Sequence, residues 1–515
     1  MGDPRYNYFM FVRKKLNKSG STSVQVLKKV GNSNKLVKTI GVSKDDYQIK
    51  LLVQEGKEFI KKFQGQLTFP LFKDTHYKEN LLQLIHNNSS IRVVGPDLVL
   101  GKIFDNIGFN SINEPLLKRL VISRIVHPAS KLSTVNYWHM NNESTVSTQT
   151  IYRFLDKLNT YYKSKIEQIT YNYTKKILST ISVLFYDMTT IYFNIKHEDT
   201  FRLRGYSKDG KFQKPQILLG LLVGEGGYPI GYDIFPGNTF EGVTMLPMIE
   251  RFQKKYGFKK PIIVADSGLL SKRNILLLEK HGYQFILGAR IKNETNDIKS
   301  TILTKAIHAR DGQSFIVKKG NYRLIVSYSK HRAEKDKKNR ERGLSKLKTK
   351  IKNGRLTKAS INNRGYNKFL KLNGNVSVSL DTKLIKEDSK WDGLKGYLTN
   401  TNLTKDSVIK NYSNLWTIER AFRISKNDLR IRPIFHHKRT RIEAHICLSF
   451  IAYTVYKELE RLLKKHKSYL TVWQAIELLD TIYEVSIYLP DSPKPISVLS
   501  SLSDPQKELL RVTHC

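Results

Sequence analysis

The chain has 515 residues, 40% of them apolar, which supports sizeable cores and roughly two to four domains at ~100–200 residues each. It carries 88 Lys and Arg against 45 Asp and Glu, a net charge of +43. That excess goes far beyond the needs of solubility and makes a polyanion the default partner, nucleic acid before an anionic membrane surface. Two cysteines, Cys447 and Cys515, exclude a disulfide framework or a zinc site and point to a reducing, cytosolic compartment. The longest apolar runs, Ile217–Val223 and Ile446–Tyr453, are too short to span a bilayer. Met1–Arg5 leads into a strand-like run without the apolar core of a signal peptide.

Residues 6–48 alternate apolar and polar side chains, with turn signals at Lys18–Ser21 and Gly31–Asn34. This predicts a small antiparallel sheet with a basic outer face, followed by a helix over 45–66. The sheet is either a DNA-facing surface or a solvated cap. Over 97–180 the periodicity predicts helices at Leu98–Ile107, Glu114–Ile125, Lys131–Met140 and Thr148–Leu158. A plain helical bundle is the first reading, and a helix-turn-helix DNA reader the second. Over 181–290 the order is three strands, helix, strand, helix, strand, an α/β layer.

Residues 291–410 break that pattern with strand-like pieces and a basic segment. From Lys330 to Lys371 there are sixteen Lys or Arg against Glu334, Asp336 and Glu341. Such a run suits a solvated helix face or a DNA-tracking surface. A helix is predicted over 412–426, a long one over about 439–464, and one more over 471–480.

Three carboxylates stand apart from the other acids. Asp187 lies inside the apolar run 181–193, where a charge is costly without a partner or a metal. Asp266 directly follows the buried strand 261–265, at the strand end where α/β sheets place their sites. Glu419 lies in the 412–426 helix. Leu415, Ile418, Phe422, Ser425 and Leu429 form its inward stripe; Tyr412, Trp416, Glu419, Arg423 and Lys426 form a second. Solvated ion pairs are the ordinary meaning of that spacing. Together, however, three acids suffice to hold two Mg²⁺ ions, with water and substrate phosphate completing the coordination. With +43 of charge, this points to a DNA-cutting and strand-joining enzyme. Glu443 is a rival third acid and Asp233 a rival second. His436 and His437 are turn histidines with a weaker claim on DNA.

Here the motifs resemble a known family. Tyr412, Glu419 and Lys426 match the Y-x-x-R-x-x-x-E-x-x-x-x-x-x-K signature of bacterial insertion-sequence DDE transposases of the insertion-sequence-four superfamily. Leu415 stands where the arginine would be, leaving Arg420 or Arg423 to supply that phosphate contact. Phe185–Thr190 matches the first-acid motif and Val264–Gly268 the second. Pro236–Thr239 and the Arg204–Gly210 turn also follow the pattern. The likeness covers about residues 90–465.

The resemblance implies an α/β fold with a ribonuclease H-like catalytic core interrupted by a mostly β insertion. Its parts would be a small sheet and helix over 1–66, a helical DNA-binding region over 67–180, the core over 181–290 and 411–465, the insertion over 291–410, and a helical tail over 466–515. It implies cleavage of double-stranded DNA at terminal inverted repeats and joining of 3′ ends to target DNA, by a homodimer in the bacterial nucleoid. Asp187, Asp266 and Glu419 would hold two Mg²⁺ ions, with Mn²⁺ as substitute. Tyr412, Arg420, Arg423 and Lys426 would contact phosphates, and Trp391 would stack on a flipped base while a DNA hairpin forms and opens. The plainer role for Trp391 is anchoring the insertion to the core. A nuclease or resolvase of the same fold that cuts without joining, or a DNA-binding protein that has lost the chemistry, are the competing functions.

Overall fold

The computed structural model describes residues 9–63, 89–141, 146–269, 271–354, 356, 361–362, 365–373, 377–487 and 495–514. It divides into two compact units, residues 1–89 and 90–515.

In the first unit, Met10–Leu16, Thr22–Val30 and Ser33–Ser43 form an antiparallel meander, as the alternation predicts. The turns between them use Gly20 and Gly31, both at positive φ (75° and 57°), a backbone that costs glycine little. The helix Asp46–Phe63 packs on this sheet. Val24, Val26, Leu27 and Ile49 are buried in the small core.

The second unit is built on an eight-stranded mixed sheet. Its order is Ser314–Lys319, Tyr322–Tyr328, Leu394–Thr399, Phe285–Ala289, Ile262–Ala265, Val183–Tyr192, Gln216–Val223, Pro229–Pro236. Ile262–Ala265 runs parallel to both of its neighbours, and the other pairs are antiparallel. Gln216–Val223 is buried along its whole length, because both faces of the sheet are covered. Alternate residues divide between two cores: Phe185, Ile191, Leu219 and Leu221 on one face, Leu184, Tyr186, Met188 and Leu218 on the other. By the same alternation Asp187 takes the face of Phe185 and Ile191, where the helix Trp416–Arg423 packs.

Residues 291–410 differ from the mostly β insertion expected. Three of their strands extend the central sheet itself. The longest element is the helix Lys330–Lys352, which buries only Gly343 and Leu347 and leaves most of its cations exposed; Arg340 instead pairs with Asp392 at 2.5 and 2.6 Å. Over Lys330–Lys352 the basic run is thus a solvated helix face, the first of the two readings offered for it. The insertion was expected to be β because short apolar pieces such as Ser314–Lys319 dominate its hydrophobic signal. Lysine and arginine, good helix formers, give no apolar stripe to read.

Arg439–Lys465 is buried almost throughout. The helices Lys102–Ile107, Pro115–Val126, Thr148–Lys157 and Lys163–Leu178 pack against it, which favours the bundle reading of this region. The tail, expected to be helical, holds Val472–Leu479 behind a Thr471–Gln474 capping box. It then forms an antiparallel pair, Tyr483–Ile487 with Ile496–Leu499, in one sheet with Ser89–Val93, and ends in the helix Asp504–His514. Among the described residues no helix is long and apolar enough to cross a membrane.

Candidate active site

The 412–426 stretch is not one helix. Lys405–Ser413 ends at Asn414, Trp416–Arg423 begins after Leu415, and Ile424–Asp428 continues as a wider π turn. The inward stripe holds: Leu415, Ile418, Phe422, Ser425 and Leu429 are all buried. The second stripe is split by the break. Tyr412 turns into the core, while Trp416, Glu419 and Arg423 remain exposed.

The sheet brings the first two acids together. Tyr186 pairs with Ala265 across parallel strands, so Asp187 and Asp266 come next on neighbours that run ~4.8 Å apart. Asp266 and Glu419 line one cleft of about 380 Å³ with Arg332, Lys395, Tyr412 and Trp416. The Tyr412 hydroxyl donates to Asp266 Oδ1 at 3.1 Å. Burial and the Asp266 carboxylate raise the Tyr412 pKa, so the hydroxyl stays protonated and fixes the acid. Gly288 forms the floor: a Cβ there would overlap the Tyr412 hydroxyl.

Asp187 sits behind this cleft on the adjacent strand. Burial raises its carboxyl above the usual range, partly offset by Lys208. The Lys208 ammonium lies 3.3 Å from Asp187 Oδ1, 3.3 Å from Glu241 Oε1 and 2.6 Å from the Met188 carbonyl. Burial alone would lower the Lys208 pKa, but Asp187 and Glu241 raise it. Two loops hold this triad in place. Gln216 Nε2 donates to the carbonyls of Tyr206 and Gly237, and a Cβ on Gly237 would overlap the Gln216 and Leu203 carbonyl oxygens. Thr244, beside Glu241, hydrogen-bonds the Tyr186 hydroxyl at 2.7 Å. Lys208→Met leaves two half-buried carboxylates without their cation. The expected loss is about 1–3 kcal/mol of stability, read by thermal unfolding; a melting temperature equal to wild type would make the contact a solvated one.

Glu241, Lys208, Lys395 and Arg332 were not singled out from the sequence. The first two lie in or beside the quoted Arg204–Gly210 and Pro236–Thr239 segments, which was the available signal. Arg332 lies in the basic run already offered as a DNA-tracking surface, while Lys395 had no signal, since only the sheet carries it to Asp266. Of the other residues singled out, Arg420 is paired with Glu460 at 2.6 Å, and Lys426 with Asp209 at 3.2 Å. Trp391 is half-buried against the core on the opposite face of the sheet and does not line the cleft. Glu443 is held by Asn159 and Arg439, and Asp233 lies near Arg251; neither reaches the cleft. His436 is not an exposed turn residue: it is half-buried, edge-on to Tyr152.

The Transposase DDE domain model matches residues 178–455, more than half of the chain and every strand and helix that carries the three acids. The chain belongs to this transposase family. It is a DDE transposase, an enzyme of DNA cleavage and strand transfer, and DDE transposases generally use divalent metal ions. No curated protein matches the sequence. Among solved structures, the chain is similar to a piggyBac transposase synaptic complex with hairpin DNA, at TM-score 0.39 and 9% identity, covering 75% of this chain and 76% of that one. It is also similar to a Mos1 transposase paired-end complex with left transposon end, at TM-score 0.16 and 10% identity, covering 45% and 66%.

The donor chemistry of the cleft suits a hard divalent cation: two carboxylates, Asp266 and Glu419, line it, and no cysteine or histidine does. The raised Asp187 carboxyl calls for a cation, and Lys208 supplies one. Among the described residues no three acid, histidine or cysteine side chains are close enough to hold an ion.

Proposed function

We propose that Asp187, Asp266 and Glu419 hold two Mg²⁺ ions, or Mn²⁺ in their place, in a ribonuclease H-like core that cuts double-stranded DNA at terminal inverted repeats. The observation that carries this reading is the pairing of Val183–Tyr192 with Ile262–Ala265, which sets Asp187 beside Asp266 and next to the cleft that Glu419 shares. Ions bound there supply Lewis-acid polarisation of the phosphodiester and activation of the attacking hydroxyl.

The chain's own groups do the remaining work. Tyr412 holds Asp266 in one rotamer. Lys208 neutralises Asp187 and Glu241 until the site is loaded, then becomes free for a phosphate. Lys395 and Arg332 point cations at the incoming strand. Burial beside Arg332 lowers the Lys395 pKa, which an approaching phosphate reverses. The exposed helix Lys330–Lys352 continues this positive track along the duplex. Arg423, exposed on the same helix as Glu419, is a further phosphate contact. Two copies of the chain, one per transposon end, form the working unit. Cleavage of labelled inverted-repeat DNA with Mg²⁺ tests the reading, and strand-transfer products separate it from a nuclease that only cuts.

Trp416 is better placed than Trp391 to receive a base. It is 50% exposed and lines the cleft with Asp266 and Glu419. Stacking on an aromatic face is worth about 1–3 kcal/mol per base. Trp416→Ala is therefore expected to weaken binding of unpaired or hairpin DNA by roughly tenfold or more with the melting temperature unchanged, and Trp391→Ala to lower the melting temperature. The reverse pattern in fluorescence-anisotropy titrations and thermal melts would return the stacking role to Trp391.

A further inference from the structure

A second basic site lies at the start of the helix Lys131–Met140. A cavity of about 240 Å³ is lined there by Arg124, Lys131, Arg430, Arg432, His436 and His445, and by no carboxylate. Its volume is well above the ~10–15 Å³ that one water needs. Arg124 and Lys131 are each only 5% exposed. Arg124 Nε has no hydrogen-bond partner, and neither side chain forms an ion pair among the described residues. Arg432 reaches Asp209 on its other side at 2.6 Å. Ser130 caps the helix by accepting from Ser133 N, so the positive end of a ten-residue helix adds to the same field.

A fold does not retain buried, unpaired cations without cost; each such ion is normally paired or bound. The strain is visible in the neighbours. Burial lowers the Arg124 pKa to about 10 and the Lys131 pKa well below its ordinary value. Burial, then Lys131 and Arg124, push His436 down to about 4. Every shift has the sign that an anion in the cavity would relieve. A terminal phosphate suits the cavity: it carries close to two charges at pH 7, and Arg124 and Lys131, each 5% exposed, leave little surface for a phosphate within a duplex to meet. Leu132 and Phe435, 62% and 66% exposed, flank the mouth, where a nucleoside attached to that phosphate would rest.

We propose that this cavity binds a phosphate monoester, namely the 5′-phosphate at the end of a DNA strand. The phosphate chemistry stands on the cavity alone; the strand-end source rests on the DNA-cleaving reading of the carboxylate cleft. Thermal melts of the full chain without metal, in inorganic phosphate or in chloride of equal ionic strength, test the site. The wild type is expected to show a saturable rise in melting temperature with phosphate. Lys131→Met, which at similar volume removes a buried amine that forms no ion pair among the described residues, is expected to melt higher than wild type in chloride and to lose the phosphate response. Arg430→Gln, at an exposed position, is expected to fold as wild type and weaken phosphate binding roughly tenfold. No phosphate response in the wild type, or the same response in both variants, overturns the site. Short single strands with a 5′-phosphate or a 5′-hydroxyl then identify the source. A preference of roughly tenfold for the phosphate, absent in Lys131→Met, supports the strand end. Equal binding beside an intact response to inorganic phosphate overturns the strand end and leaves a free-phosphate site. None of these readings depends on whether the carboxylate cleft cuts DNA.

Discussion

Glu419→Gln is expected to bind inverted-repeat DNA as the wild type does and to lose its Mg²⁺-dependent cleavage by roughly 10²–10³-fold or more. Glu419 is exposed in the first turn of Trp416–Arg423, and Gln keeps its shape, so the fold has no reason to change. The carboxylate's negative charge is what a divalent ion needs, and an amide oxygen is a far poorer ligand for Mg²⁺. On the proposed reading, binding rests on Arg332, Lys395 and the cationic helix, which the substitution leaves intact. The check is a gel assay of labelled ends, with anisotropy on the same preparations. Equal cutting by both proteins would make Glu419 a surface acid. The next candidate would then be Glu241, which already shares Lys208 with Asp187, and not Glu443, which Arg439 and Asn159 occupy. Loss of binding along with cleavage would instead assign Glu419 a structural part.

Glu460→Gln is expected to destabilise the folded chain by up to about 3 kcal/mol at pH 7. Glu460 is 3% exposed and lies within 2.5 Å of Lys457, 2.6 Å of Arg420 and 3.1 Å of Lys464. Burial alone would raise its carboxyl, but the three cations bring it from 4.5 to about 2. The folded pKa lies below the unfolded one, so the contribution is complete above pH ~4.5 and is lost as the pH falls toward 2. Lys457 offsets part of the gain, since burial lowers its pKa despite the same pair. The difference in melting temperature between variant and wild type is therefore largest at neutral pH and closes in acid. A constant difference down to pH 3 would place its origin in packing. The cluster also matters to the site, because Arg420 ties the helix of Glu419 to the long helix Arg439–Lys465.

The strands at 183–192, 216–223, 229–236, 262–265 and 285–289 were legible because β-branched runs between turn residues have little other use. Asp187 and Asp266 were legible for a related reason: an acid inside or at the end of such a run is expensive, and expense marks a role. The stripe from Leu415 to Leu429 read correctly as inward. The break at Asn414–Leu415 did not show, because both short helices keep the same three-and-four spacing across it. Which of the two roles offered for Trp391, base stacking or anchoring, its surroundings favour was not legible, since sequence order near the end of the basic segment does not reveal which face of the sheet a side chain meets.

The sequence alone determined the transposase family, and it put forward a polyanionic partner and three candidate acids, since these depend on residue type and order. Tertiary structure decided what surrounds them. Strands 314–319, 322–328 and 394–399 join the central sheet through pairings such as 394–399 with 285–289, made across long sequence gaps that local periodicity does not record. Lys208 reaches Asp187 from twenty-one residues away, and Arg332 and Lys395 reach the cleft from still farther. Arg124 and Lys131, which form no ion pair among the described residues, became visible only when Arg430 and Arg432 closed a cavity over them. Charge in a sequence has no address; burial and the absence of a counter-ion give it one, and both are properties of the folded chain.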